Sequence, residues 1–106
     1  MSAPAYLILQ TEIEDFGQYL ERYTRPVVAQ LSELGAELLV TTAEAQALEG
    51  EWPGNWTVVI RFPDWDTAVN WYGSEAYAAL KHTRRTELSG GGNMVLLPGR
   101  DEEGGG

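Results

Sequence analysis

The chain has 106 residues, 43% of them hydrophobic, and a formal net charge of −9 from 16 acidic and 7 basic side chains. This length allows one domain with a small core, and the hydrophobic content is that of a globular protein. The excess of acidic residues argues against nucleic acid and anionic membrane surfaces as partners, because both require clustered Lys and Arg.

Hydrophobic patterning predicts a strand at residues 6–11 and then a long helix up to Leu34. Asp15 is placed to cap this helix, and Gly35 falls where a left-handed C-cap is expected. Pro26 lies inside the helix and removes one backbone hydrogen bond, so it predicts a kink. The apolar stripe of the helix consists of Phe16, Tyr19, Leu20, Tyr23, Val27, Leu31 and Leu34.

The second half of the chain predicts further strands at residues 37–41, 45–49 (short and weak), 56–62 and 93–98. Asp64 caps a short helix, Gly73 interrupts it, and Ser74 starts a second helical piece up to about residue 86. Apart from the short extra strand, the order is βαββαβ, which is the ferredoxin-like pattern of an α+β fold with an antiparallel sheet. The domain is expected at residues 1–98, and residues 99–106 are expected to form a flexible acidic, glycine-rich tail.

Side chains alternate along a strand, so the predicted sheet has two distinct faces. The wholly apolar set, expected to contact the helices, is Leu7, Leu9, Leu38, Val40, Val58, Ile60, Phe62, Met94 and Leu96. The mixed set is Tyr6, Ile8, Gln10, Glu37, Leu39, Thr41, Thr57, Val59, Arg61, Asn93, Val95 and Leu97. The mixed face is too apolar for water, and a second copy of the chain is the simplest cover for it. The sequence therefore predicts a homodimer.

Three segments resemble a family of short bacterial proteins of unknown function within the dimeric α/β-barrel superfamily. They are residues 47–53 (ALEGEWP), 58–63 (VVIRFP) and 71–77 (WYGSEAY), and Arg84 or Arg85 matches an arginine of the second helix. The resemblance covers residues 5–98. It implies two ferredoxin-like subunits whose sheets face each other across a barrel. That superfamily includes cofactor-free monooxygenases, polyketide cyclases, haem-handling enzymes and stress proteins, so the resemblance does not select one activity.

Candidate site residues lie mainly on the mixed face. Arg61 and Glu37 are charged there, and a buried charge must be paired or bound to a ligand. Either the two form a structural salt bridge, or Arg61 orients an anionic or enolic ligand while Glu37 acts as its catalytic partner. The remaining lining is predicted to be Tyr6, Gln10, Asn93, Trp56 and Tyr72.

Other motifs favour structural interpretations. The glycine-rich stretch at residues 89–93 joins a helix to a strand, whereas phosphate loops lead from a strand into a helix, so it is interpreted as a linker. His82, the only histidine, is a possible general base but is expected on the surface. Trp52 lies in a predicted loop that either covers the barrel mouth or contacts the partner subunit.

The absence of cysteine excludes disulfides, thiolate chemistry and cysteine-ligated metal sites. With one histidine and scattered acids, no metal or other cofactor is expected, haem on His82 being the least remote exception. The first four residues do not resemble a signal peptide, and no apolar run approaches the ~20 residues of a membrane span, so a cytoplasmic protein is expected.

Two functions remain open at this stage. The first is a homodimer that binds a small aromatic or polyketide-like molecule in its barrel, as a cofactor-independent cyclase, isomerase or monooxygenase. The second is a non-catalytic dimeric binding or accessory protein. A barrel lumen with polar groups around Arg61 favours the first, and a lumen filled by side chains favours the second.

Overall fold

The computed structural model of the chain describes residues 3–100. The strands are β1 (Ala5–Thr11), β2 (Glu37–Thr42), β3 (Trp56–Phe62) and β4 (Gly92–Pro98). The helices are α1 (Phe16–Tyr19), α2 (Arg25–Glu33), α3 (Trp65–Tyr72) and α4 (Glu75–Thr83). Two π-helical stretches follow α1 and α4: the first π segment (Leu20–Thr24) and the second π segment (Arg84–Leu88).

The four strands form one antiparallel sheet in the order β2-β3-β1-β4. This order confirms the ferredoxin-like βαββαβ topology. The helices pack on one face of the sheet and enclose the core with it. The largest fully buried apolar side chains are Tyr77, Phe62, Ile13 and Leu31.

The predicted helix boundaries are confirmed by their capping groups. The carboxylates of Asp15 and Asp64 accept hydrogen bonds from backbone N–H groups three residues later, and the Ser74 hydroxyl does the same. Gly35 has φ +72, and the N–H of Ala36 donates to the carbonyl of Leu31, which is the Schellman arrangement.

Pro26 is accommodated by a change of helix type. The N–H of Arg25 donates to the carbonyl of Leu20, five residues back, in the first π segment. Pro26 has no backbone N–H and cannot donate a hydrogen bond to the preceding turn of the helix. The helix continues through this position because the turn just before Pro26 is widened to a π-helical turn. The long helix predicted from the sequence is therefore divided into α1, the first π segment and α2.

Two strand predictions are corrected. Residues 43–55 contain no strand, so the short strand expected at 45–49 is wrong, and this part of the chain is a loop from β2 to β3. Within β2, Leu38 pairs with Ile60 but Val40 pairs with Val59, so Leu39 is the extra residue of a β-bulge. The bulge shifts the alternation by one residue, which exchanges the predicted faces of Val40 and Thr41.

The end of the described chain remains attached to the sheet. The N–H of Gly99 donates to the carbonyl of Pro4 at 2.7 Å, next to the last pairs of β1 and β4. Most of the predicted tail, residues 101–106, lies outside the described residues.

Candidate functional site

The sheet face opposite the helices, called the open face below, carries side chains in three rows across the strands. The charged row contains Glu37, Arg61, Tyr6 and Leu97. The apolar row contains Val40, Val59, Ile8 and Val95. The amide row contains Thr42, Thr57, Gln10 and Asn93. The open face thus has an apolar middle between two polar ends.

The charged row joins three of the predicted site residues. Arg61 Nη1 lies 3.8 Å from Glu37 Oε1, and Tyr6 is paired with Arg61 in the strand register. The side chain of Arg61 is 28% exposed and that of Glu37 63% exposed, so the pair is not buried within one subunit. A partly covered guanidinium beside a phenol can bind a carboxylate or an enolate.

The amide row forms the other polar end. Asn93 Nδ2 donates to Gln10 Oε1 at 2.8 Å, and Gln10 is only 5% exposed. The indole Nε1 of Trp52 donates to the Thr57 hydroxyl at 2.9 Å, which holds an aromatic ring of the β2–β3 loop against this end. The sequence predicted that this loop covers either the barrel mouth or the partner subunit. In the structure of one subunit, the loop contacts the edge of the open face through Trp52 and Thr57.

The predicted polar lining is divided between these two ends. Thr57 and Arg61 are four residues apart on β3, which corresponds to about 13 Å along a strand. Gln10 and Asn93 are therefore not neighbours of Arg61 in the same subunit. The strand alternation was predicted correctly for these residues, but the pairing that decides which of them share a row depends on tertiary structure.

Trp56 and Tyr72 do not lie on the open face. Trp56 belongs to the helix side of β3, where its ring meets that of Phe16 at 5.2 Å. Tyr72 lies on α3, with its ring 5.7 Å from that of Tyr77 and with Lys81 Nζ 4.2 Å from its centroid. The prediction that they form the apolar wall of a site around Arg61 is wrong for one subunit, because both belong to the helix layer.

Sequence reasoning missed a buried cluster of polar groups inside the helix layer, called the tyrosine–arginine cluster below. It consists of Tyr19, Tyr23, Tyr77 and Arg84. The hydroxyls of Tyr23 and Tyr77 share a hydrogen bond of 2.5 Å, and the Arg84 guanidinium lies over the Tyr23 ring at 5.7 Å. The helical spacing of Tyr19 and Tyr23 indicated only an apolar stripe, and no pattern in the sequence connects them with Arg84.

A cavity of about 30 Å³ adjoins this cluster between the sheet and the helices. Its walls include Tyr19, Tyr23, Trp56 and the exposed Thr41, which the β-bulge places on the helix side of β2. A space of this size holds about two water molecules, whereas a cavity that binds benzene measures about 150 Å³. An aromatic ligand therefore does not fit here in this conformation.

Two further observations concern metals and membranes. Within residues 3–100, no three His, Asp or Glu side chains are grouped so that they could share a metal ion. The helices in this part of the chain are too short or too polar for any of them to cross a membrane. His82, exposed on α4, belongs to no such group.

Comparison with known proteins identifies the class to which the chain belongs. Residues 4–100 match the family described as "Domain of unknown function (DUF1330)", and the chain is a member of that family. No curated protein matches the chain.

Solved structures with the same fold are distant in sequence. A protein of unknown function from Rhodopseudomonas palustris is 12% identical, with a TM-score of 0.72 over 95% of this chain and 85% of that one. A protein from Bacteroides fragilis, described as dimeric, of unknown function and with a ferredoxin-like fold, is 10% identical, with a TM-score of 0.57 over 92% and 97% of the two chains. A conserved protein from Methanosarcina mazei is 10% identical, with a TM-score of 0.55 over 92% and 94%. At these identities the comparisons establish the fold.

Proposed function

We propose that the protein is a homodimer that binds a small molecule between the open faces of two subunits. The observation that carries this proposal is the open face itself, whose apolar row is not covered within the subunit. Val40 and Val95 are 40% and 47% exposed, and Leu39 and Leu97 beside them are 47% and 43% exposed. A contiguous apolar patch of this kind on a small protein is typical of an interaction surface.

The size of the open face fits a dimer. Four strands about 4.8 Å apart and seven residues at about 3.3 Å each span a projected area of about 440 Å². Two such faces in contact cover roughly 900 Å², and side-chain relief increases the accessible area above this, into the range of specific interfaces that starts near 1,000 Å². The Bacteroides fragilis protein, which has this fold, is described as dimeric, and this supports a dimer for the present chain.

The polar ends of the open face supply the ligand site in this proposal. If the twofold axis runs across the strands, the charged row of one subunit faces the amide row of the other. Because this rotation keeps the order of the strands, Arg61 and Glu37 of one copy then face Thr57 and Thr42 of the other, with Gln10 on the next strand and the partner's copy of the β2–β3 loop beside them. Arg61 and Gln10, which are separated in one subunit, would thus come close to each other in the dimer, once at each end of the barrel.

The ligand that suits such a lumen is small, planar and able to carry negative charge. Arg61 would bind its carboxylate or enolate, and the Trp52 ring of the other subunit would contact its apolar body. In this proposal Glu37 would move a proton on such a ligand, which corresponds to a cofactor-independent cyclase, isomerase or monooxygenase acting on an aromatic or polyketide-like substrate.

The second candidate is a non-catalytic dimeric binding or accessory protein. The ion pair between Arg61 and Glu37 at 3.8 Å favours it, because a guanidinium already paired with a carboxylate needs no ligand. In both cases the cytoplasmic location expected from the sequence remains a prediction.

Disulfide trapping tests the arrangement of the dimer, and the cysteine-free chain gives a clean background. Tyr6→Cys marks the charged row and Gln10→Cys the amide row, both on β1, because a twofold axis across the strands places each strand opposite the same strand of the partner. With the axis across the strands, a mixture of the two variants cross-links into a heterodimer faster than either variant alone. Preferential cross-linking of each variant with itself would place like ends together and contradict the composite site.

Arg61→Met then separates the two candidate functions. Protein purified from the native host is analysed by native mass spectrometry for co-purified small molecules, in the wild type and in the variant. A ligand-binding Arg61 predicts a folded dimer that has lost the molecule, with affinity reduced by about 2–5 kcal/mol. A variant dimer that keeps the bound molecule would show that Arg61 is structural and that the site lies elsewhere, whereas a wild type that carries no molecule supports the accessory role.

A further inference from the structure

A pocket lies at the amide end of the open face and is called the amide pocket below. Its lining consists of residues 10–12 at the end of β1, residues 53–54 of the β2–β3 loop, and residues 90–93 around the start of β4. Its volume of about 350 Å³ is within the range of small-molecule sites, whereas the internal cavity measures only about 30 Å³. The amide pocket is therefore the part of the open face with room for a ligand inside one subunit.

The sides of the amide pocket are fixed to the end of β1 by hydrogen bonds. The backbone N–H of Asn55 donates to the carbonyl of Thr11 at 3.0 Å. On the other side, the backbone N–H of Gly90 donates to the carbonyl of Glu12 at 2.8 Å. The Asn55 side chain also bonds to both backbone groups of Ile13, each at 2.8 Å. Walls held in this way are formed before a ligand arrives, which lowers the entropy cost of binding.

Gln10 brings an incompletely paired amide to this pocket. The residue is only 5% exposed, and its Oε1 accepts a hydrogen bond from Asn93 Nδ2. Its Nε2 donates to no group of the described chain. The buried side-chain atoms of residues 3–100 that lack both a partner and contact with open space belong to other residues, so Gln10 Nε2 keeps contact with the pocket in front of it.

Asn93 supplies the complementary group. Gln10 and Asn93 are directly paired across β1 and β4, and their hydrogen bond uses the C=O of the first and one N–H of the second. The NH₂ of Gln10 and the C=O of Asn93 are left over. Turning both amides over exchanges these roles and again leaves one donor and one acceptor. The pair therefore offers a ligand a donor and an acceptor from two adjacent amides.

The charge at this end of the open face disfavours an anion as the ligand group. The carboxylate residue Glu12 belongs to the pocket lining, and the described lining contains no Lys, Arg or His. A neutral group that carries a C=O and an N–H on one edge, as a lactam does, satisfies both free groups of the amide pair. It does so without bringing negative charge towards Glu12.

We propose that the amide pocket binds the lactam edge of a planar small molecule. Gln10 donates to the lactam C=O, and Asn93 accepts from the lactam N–H. The amide row is one half of the ligand site in the proposed function, so this assignment rests on that function and adds the chemistry of the second ligand group. The anionic group of the ligand belongs to the Arg61 end, and the neutral lactam belongs to the amide end.

The direct test is a titration of the ¹⁵N-labelled wild-type protein with 2-pyridone, a planar lactam, followed by NMR. 2-Pyridone is expected to shift the side-chain NH₂ signals of Gln10 and Asn93 in a saturable way. N-Methyl-2-pyridone keeps the ring and the carbonyl but lacks the N–H, so it should bind at least about tenfold more weakly. Signals that stay constant with 2-pyridone, or equal affinities for the two compounds, would overturn the proposal.

Two variants test the assignment of the residues. Gln10→Met removes the amide at similar length and should weaken 2-pyridone binding at least about tenfold. Asn70→Ser is the control, because it changes an exposed amide on α3 in the helix layer and should leave the affinity unchanged. Equal affinities of Gln10→Met and the wild type would overturn the proposal. Should Gln10→Met fail to fold, Asn93→Ala, at an exposed position, supplies the same comparison.

Light scattering of the same samples separates this proposal from that of the dimer. A dimer that does not bind 2-pyridone contradicts the lactam site and leaves the proposed function standing. A monomer that binds 2-pyridone and discriminates against the N-methyl compound contradicts the proposed function and supports the lactam site.

Discussion

The substitution Val59→Asp tests the proposed dimer at the centre of its interface. Val59 lies in the middle of the apolar row, paired with Ile8 on β1 and Val40 on β2. It is half-buried within one subunit, so dimerisation would remove the remainder of its side chain from water. Full burial of a valine side chain stabilises by roughly 1.5–3 kcal/mol. Because about half of this burial is already present in one subunit, dimerisation would add about 1 kcal/mol per subunit at Val59.

An aspartate at this position adds a larger cost. Bringing an unpaired carboxylate into a dry interface costs several kcal/mol per ion, and a twofold dimer contains the substitution twice. The expected loss is about 5 kcal/mol or more, which corresponds to over a thousandfold in Kd at about 1.4 kcal/mol per factor of ten. We therefore expect Val59→Asp to be monomeric at micromolar concentration and to melt at a lower temperature than the wild type.

Light scattering and thermal melting measure both consequences. Val69→Asp is the matched control, because Val69 is 45% exposed on α3 and far from the open face in the helix layer. It should leave mass and melting temperature close to those of the wild type. If Val59→Asp also retains the wild-type mass and melting temperature, the open face is not the interface.

Three further predictions concern the folded subunit. Gly54→Ala should destabilise the fold strongly, because φ is +93 at this position and an added Cβ would lie 2.5 Å from the backbone oxygen of Thr11. The control is Gly50→Ala, where φ is +71 but an added Cβ would meet open space. By urea unfolding, we expect Gly54→Ala to lose about 1–3 kcal/mol more of its free energy of unfolding than Gly50→Ala. Similar losses for both would show that the close approach is not a constraint. Ser74→Ala should cost about 1 kcal/mol by removing the cap of α4, also measured by urea unfolding, and an unchanged midpoint would contradict it. Hydrogen bonds from the backbone N–H and from the side chain of Thr67 lower the pKa of Asp64. The stabilisation that this carboxylate contributes is therefore fully present above its unfolded pKa and is lost as pH falls through the folded pKa. Between neutral pH and about pH 3, the wild type should therefore lose more stability than Asp64→Asn, which keeps a capping side chain without titrating, and equal losses would contradict the assignment.

Local features of the sequence were sufficient to predict much of the fold. The caps at Asp15, Asp64 and Ser74 and the left-handed Gly35 act within one helical turn, and all four are confirmed. The alternation of β1, β3 and β4 gave the correct faces, and with the element order it gave the ferredoxin-like topology. These signals are readable because the physical cause and its effect lie within a few residues of each other.

Features that depend on distant pairing were missed. The bulge at Leu39 exists only relative to β3, so the sequence of β2 alone placed Val40 and Thr41 on the wrong faces. The division of the open face into rows depends on the register of three strand pairs, which join all four strands. The contact between Tyr23 and Arg84 joins two helical segments that are far apart in the chain, and the sequence around either residue does not predict the other as its partner.

The measurement that tests the central claim most directly is the mass of the wild-type protein by light scattering at micromolar concentration. An interface formed by two open faces predicts twice the 11.7 kDa of one chain. A stable particle of 11.7 kDa, with its apolar row exposed to water, would contradict the dimer and the composite ligand site that depends on it.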